Sequence, residues 1–74
     1  MATDRADYQY IVKELPNAAG AVWALECYPK TKELSFIRNG VMYIELKEGV
    51  SEEEAKELRK MLNARVQCIT VINP

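Results

Sequence analysis

The chain contains no histidine. That excludes a histidine-based catalytic triad, an imidazole proton shuttle and a histidine metal site. Cysteine is nearly as scarce. Cys27 and Cys68 are the only two, each inside an apolar run and neither part of a C-x-x-C pair. A zinc ribbon or a thioredoxin-type site is therefore not expected, and both thiols read as small buried hydrophobes. The three glycines, Gly20, Gly40 and Gly49, each occupy a turn position, so there is no glycine-rich phosphate loop. A surplus of charge is missing too: 10 Lys and Arg face 11 Asp and Glu, for a net charge of −1. No apolar run approaches the roughly 20 residues that a membrane-spanning helix needs. The opening Met1-Ala2-Thr3-Asp4-Arg5-Ala6-Asp7 carries no secretory n-region or h-region, which points to a cytoplasmic protein with reduced thiols. No cofactor and no membrane partner are expected.

What is present fits one small domain over residues 1–74. The chain is 49% apolar and 28% charged, an ordinary balance for a folded module and unlike a disordered one. One helix is sharply marked. Val50-Ser51-Glu52-Glu53-Glu54-Ala55 is a capping box, in which Ser51 accepts from the Glu54 amide and Glu54 reaches back to the Ser51 amide. Glu52, Glu53 and Glu54 suit the positive end of the helix dipole, and Lys56, Arg59 and Lys60 follow toward the negative end. Ala55, Leu58, Met61 and Leu62 form an apolar stripe, and Asn63 suits a left-handed terminus. The spacing predicts a helix over 52–63, with Glu52 and Lys56 as an i,i+4 pair.

The remaining segments read as strands. Leu34–Arg38, Asn39-Gly40 and Val41–Leu46 predict a two-residue type I′ hairpin with Phe36 opposite Tyr43 and Ile37 opposite Met42. Ala21–Tyr28 reads as a strand joined to that hairpin by a polar connection at 29–32, and Val66–Ile72 as a closing β-branched strand. The start is ambiguous. Tyr8, Ile11, Val12 and Leu15 fit a helical stripe, while Tyr8-Gln9-Tyr10-Ile11-Val12 is dense in strand formers. Pro16-Asn17-Ala18-Ala19-Gly20 is a loop in either case. The expected class is α+β, a small antiparallel sheet of four to five strands with one main helix. The order is β-β-β-β-α-β, with α-β-β-β-α-β as the alternative.

Strand alternation then sorts the sheet into two faces. One carries Trp23, Leu25, Cys27, Leu34, Phe36, Val41 and Tyr43. The other carries Val22, Ala24, Glu26, Tyr28, Ser35, Ile37, Met42, Ile44 and Leu46. One short helix cannot cover both. Either the segment 1–15 folds over the second face, or a face or edge is kept for another chain.

The chemistry-bearing residues give little support to catalysis. The cysteines lack a base, Glu26 and Glu45 are isolated strand carboxylates, and Ser51 is used as a cap. The acidic group Glu48, Glu52, Glu53, Glu54 and Glu57 is a solvated helix start. Aromatic residues and arginine are frequent interface anchors, and this short chain has several. The expectation is a non-enzymatic protein-binding module, with Tyr28, Ile37, Arg38, Met42, Tyr43 and Ile44 as candidate contacts and a homodimer as one form of association. Freestanding modules of this kind include phage- and prophage-encoded inhibitors and regulatory subunits acting by steric occlusion. The alternative is a weak nucleic-acid binder using Lys30, Lys32, Arg38 and Lys47 beside strand aromatics.

Overall fold

The computed structural model describes residues 2–17 and 20–73. Five strands and one helix follow in the order β1 (Ala2–Ala6), β2 (Tyr8–Asn17), β3 (Gly20–Pro29), β4 (Met42–Glu45), α1 (Glu52–Arg65) and β5 (Ile69–Asn73). The class is α+β and the order β-β-β-β-α-β, as the sequence indicates. The strands form two antiparallel sheets, β1-β5 and β2-β3-β4.

The strand formers at 8–12 decide the start: the chain is extended from Ala2 to Asn17, interrupted only at Asp7. There it changes sheets. Before Asp7 it pairs with β5, Ala6 opposite Ile69; after it, it pairs with β3, Tyr8 opposite Pro29. The Asp7 carbonyl accepts from the Lys30 amide at 3.0 Å, so the β2-β3 ladder runs to the corner itself. The expected loop at 16–20 shrinks, because β2 reaches Asn17 and β3 begins at Gly20; Ala18 and Ala19 lie outside the described residues. The closing strand takes its place beside the first one.

The prolines fit the ladder. Lys30 bonding Asp7 sets the parity, so Tyr8 and Pro29, like Pro16 and Ala21, are non-hydrogen-bonded pairs. Pro16 turns its missing N–H to the open edge of β2, where a ladder loses nothing.

The expected strand at 34–38 does not form. Residues 35–39 are turns, with Ile37 N donating to the Leu34 carbonyl at 3.1 Å and Gly40 N to the Ile37 carbonyl at 2.9 Å. The positive φ angles fall on Arg38 (50°) and Asn39 (68°), one residue earlier than an Asn-Gly turn places them. Gly40 is needed for another reason: a Cβ there would stand 2.9 Å from the Ile37 carbonyl oxygen. The cause of the change is Leu34. Its side chain is fully buried in the core, and its amide donates to the Tyr8 hydroxyl at 2.8 Å. Ser35 donates to the Asp4 carboxylate from both its amide and its hydroxyl, each at 2.7 Å. Thr31 donates its hydroxyl to Asp7 at 2.7 Å. Segment 30–40 is thus tied to the β1-β2 corner, and β4 pairs directly with β3.

The capping box forms at both contacts: Ser51 Oγ accepts from the Glu54 amide at 3.1 Å, and the Glu54 carboxylate from the Ser51 amide at 3.0 Å. Glu52 and Lys56 pair at 3.6 Å. The helix runs two residues past the expected end, to Arg65. Asn63 is not a terminus. Its carboxamide accepts from the Tyr10 amide at 2.8 Å and donates to the Tyr10 carbonyl at 3.1 Å, satisfying two outward groups on the β2 edge. Ala55 is buried and Leu58 and Leu62 are half-buried, whereas Met61, expected in the stripe, is half exposed. It lines a shallow depression with Lys60, Ala64 and Arg65. Leu58 and Leu62 pack with Val66, Ile69 and Val71 against a core of Ala6, Tyr8, Tyr10, Leu25, Cys27 and Leu34. No described helix is long and apolar enough to cross a membrane.

Removing the Tyr8 hydroxyl leaves the buried Leu34 amide without its acceptor. Tyr8→Phe should lower unfolding stability by about 1–3 kcal/mol, read as a shifted urea midpoint at unchanged slope. Asp4 and Asp7 give the same corner a pH dependence. Hydrogen bonds from Ser35 and Thr31 respectively hold both carboxyls below the ordinary value of 3.8. A lowered folded-state pKa gives stability that is present above that value and lost as pH falls through the shifted one. Amide protection factors in 31–40, corrected for the intrinsic exchange rate at each pH, should fall in acid ahead of those in the helix, and Asp4→Asn should lower them at neutral pH.

Candidate functional site

Register assigns each side chain to a face, because directly paired residues share one. Tyr10 faces Cys27, Val12 faces Leu25, Met42 faces Cys27 and Ile44 faces Leu25. With Tyr8 and Trp23, these line the side covered by α1, whose Leu58 and Leu62 pack on the core. The opposite side carries Ile11, Lys13 and Leu15 from β2, Val22, Ala24, Glu26 and Tyr28 from β3, and Tyr43 and Glu45 from β4. The α1 side chains that pack on the core, Leu58 and Leu62, lie on the other side of the sheet.

This corrects the expected division of β4. Hairpin alternation in the sequence puts Tyr43 beside Leu25, with Met42 and Ile44 on Tyr28's face. Pairing β4 directly with β3 inverts its parity: Met42 packs against the core, Ile44 stands opposite Leu25, and Tyr43 joins Tyr28. The N-terminal segment does not fold over the open face. It lies within the two sheets as β1 and β2.

Tyr28 and Tyr43 dominate that open face. They are 49% and 41% exposed, and Glu26 is directly opposite Tyr43, which makes the two tyrosines diagonal neighbours. Diagonal positions are roughly 7–8 Å apart, within reach of aromatic rings. Val41, 60% exposed, immediately precedes β4. Lys13 and Glu26 form an ion pair at 3.9 Å on the same face. Ala24 is wholly buried and Ile11 and Leu15 are half-buried, so the floor between the tyrosines and the ion pair is apolar.

Of the other sequence-level candidates, Ile37 packs partly against the core and Arg38 is exposed on the 37–40 turn. Ile44 is 40% exposed at the margin of the helix-covered side. Phe36 is exposed in the turn preceding Arg38. Lys47 is not brought together with Lys30 and Lys32. Lys30 and Lys32 follow the end of β3, and Lys47 lies beyond β4 at the opposite end of that sheet, roughly 20 Å away at about 3.3 Å per strand residue. Lys30 and Lys32 also lie near Asp7 and Asp4, which they help to keep ionised.

A site that sequence reasoning missed is at Cys68. The thiol is half-buried rather than buried, and Arg5 Nη2 donates to its sulfur at 3.0 Å across the β1-β5 layer. Thr70 Oγ1 lies 3.8 Å away. The Arg5 hydrogen bond, with Thr70 and the Arg5 charge behind it, pulls the Cys68 pKa down, while burial pushes that of Cys27 up. Nothing local in the sequence joins Arg5 to Cys68; the β1-β5 register does. Both thiols are free, and no cluster of three or more Cys, Asp or Glu side chains placed to hold a metal occurs among the described residues.

No family model matches the chain, and neither the curated proteins nor the solved structures yield a match.

The thiol environments give a direct test. Iodoacetamide at neutral pH should modify Cys68 well before Cys27, and Arg5→Gln should slow the Cys68 reaction by raising its pKa. Peptide-mapped mass spectrometry over a time course reads both rates.

Proposed function

We propose that this chain is a non-enzymatic protein-binding module that acts through the uncovered face of its three-stranded sheet. The observation that carries the reading is the pairing of Tyr28 and Tyr43, each about half exposed, on the sheet face opposite the one on which Leu58 and Leu62 of α1 pack. Both project from strands, so little conformational freedom is lost when a partner closes over them. Tyrosine supplies apolar area with a hydroxyl that remains satisfied at a partly wet boundary. The Lys13–Glu26 pair and Glu45 give the apolar floor a charged rim, the arrangement of many protein interfaces. Ligand engagement here works by steric occlusion: the module covers a surface of its partner and contributes no reactive group. The net charge of −1 and the separation of Lys47 from Lys30 and Lys32 give nucleic acid a weak electrostatic footprint, which favours protein as the ligand.

The test compares the wild-type chain with Tyr28→Ala/Tyr43→Ala as immobilised bait in lysate of the source cell. The double variant should keep the wild-type circular dichroism and lose one specific protein by at least tenfold. A prey retained equally by both baits, or recovery of nucleic acid alone in low salt, overturns the reading.

A further inference from the structure

The two edges of the three-stranded sheet are built differently, and the difference identifies a partner. Leu46 N donates to the Trp23 carbonyl at 3.0 Å, which sets the β3-β4 parity: Met42, Ile44 and Leu46 bond inward, while Tyr43 and Glu45 turn their N–H and C=O groups outward. No backbone hydrogen bond among the described residues reaches those outward groups. On β2 the outward groups belong to Tyr8, Tyr10, Val12, Glu14 and Pro16, by the parity that Lys30 and Asp7 set.

The β2 edge rejects a second copy of itself. Asn63 occupies both outward groups of Tyr10. A two-fold register centred on Lys13 places Lys13 against Lys13, and one centred on Glu14 places two carboxylates together. A register centred on Leu15 asks Pro16 for an N–H it lacks. The β4 edge accepts one. With the two-fold at Ile44, Ile44 meets Ile44 and Met42 meets Leu46 on the helix-covered side. On the open side Tyr43 meets Glu45 and Val41 meets Lys47. No like charges face each other directly. Centring on Glu45 would oppose two carboxylates, and centring on Tyr43 would drive Leu46 and Lys47 into the 37–40 turn. The edge of β5, Ile69-Thr70-Val71-Ile72, holds no charge to select any register.

We propose that the chain forms a two-fold dimer by antiparallel pairing of β4 with β4 of a second copy, centred on Ile44. The pairing produces a continuous six-stranded sheet. It buries Ile44, 40% exposed in the single chain, and supplies partners for the outward groups of Tyr43 and Glu45. The helix packs chiefly on β2 and β3, which leaves the β4 margin free for the second copy. A two-fold normal to the sheet keeps both open faces on one side, so the four tyrosines form one surface. The proposal deepens the protein-binding reading and rests on it for purpose, while its geometry is independent.

Light scattering from micromolar to millimolar chain should show the average mass rising from 8.5 kDa toward twice that value. Ile44→Lys and Ile44→Glu should each remain monomeric, and their equimolar mixture should recover association, because residue 44 meets its own copy. A wild type that stays monomeric, variants that associate like wild type, or a mixture that stays monomeric overturns the dimer. If either Ile44 variant loses its helical circular dichroism, Glu45→Pro, which removes an outward amide and leaves the β3 ladder intact, takes its place: a monomer supports the pairing and a dimer overturns it. Capture of a foreign protein through Tyr28 and Tyr43 by a strictly monomeric wild type defeats the dimer alone. A dimer that captures nothing defeats the protein-binding reading alone.

Discussion

The hydroxyl of Tyr8 accepts the amide of Leu34, and the placement of the whole middle of the chain depends on it. A leucine that is fully buried takes its backbone with it, and a buried N–H without an acceptor is costly. Tyr8 resolves that conflict from inside the core. Asp4 and Asp7 hold the two neighbours, Ser35 and Thr31, from the rim. All three acceptors lie within the β1-β2 corner, so one bend in the chain organises both sheets and the long connection after β3. With 30–40 held there, the chain re-enters the sheet at Met42 opposite Cys27, and that register sets the face on which Tyr43 emerges.

The helix is legible in the sequence because its signals are local. Ser51 and Glu54 are three residues apart, and Glu52 and Lys56 four apart, so the contacts that mark the helix are made within it. The 34–46 hairpin is misread for the opposite reason. Asn39-Gly40 is a strong local signal, but the competing contacts link Leu34 to Tyr8 and Ser35 to Asp4, both distant in sequence. The positive φ angles then settle one residue earlier, and Gly40 is retained to let the Ile37 carbonyl approach. One strand lost from the expected meander inverts the parity of the next, which is why Tyr28 and Tyr43 share a face that sequence alternation had separated. Asn63 is similar: its composition suits a helix end, yet it serves as a substitute strand partner for Tyr10.

The core explains why one side of the sheet is open. Tyr8, Tyr10, Leu25 and Cys27, which cluster beneath α1, come from alternate positions of β2 and β3, and Leu34, Leu58 and Leu62 complete that layer. The intervening positions carry Lys13, Glu26, Glu45 and the two exposed tyrosines. A purely solvated face would normally be polar throughout. Here Lys13 and Glu26 pair with each other beside alanine, isoleucine and leucine, and the two tyrosines are about half exposed. The amphipathic mixture fits intermittent contact with another surface better than permanent burial or permanent solvation.

Edge strands are managed in two ways within one sheet. β2 is long, and along its outer margin the chain places a proline, a lysine beside a glutamate, and the carboxamide plug from α1. β4 is four residues long and carries no proline, no plug and an isoleucine at its centre. Proteins blunt exposed edges because unpaired amides and carbonyls recruit strands without discrimination. The proline and the plug that guard β2 are absent from the margin of β4, which is limited only by its length of four residues and the charge of Glu45. The two charges near that margin, Glu45 and Lys47, are not evenly spread as a deterrent would require. Both follow Ile44, at alternate positions, so a second copy paired antiparallel about Ile44 would set a tyrosine and a valine opposite them instead of its own charges. In the proposed pairing of β4 with its own copy, the register centred on Ile44 is the one that sets no like charges opposite each other and keeps clear of the 37–40 turn.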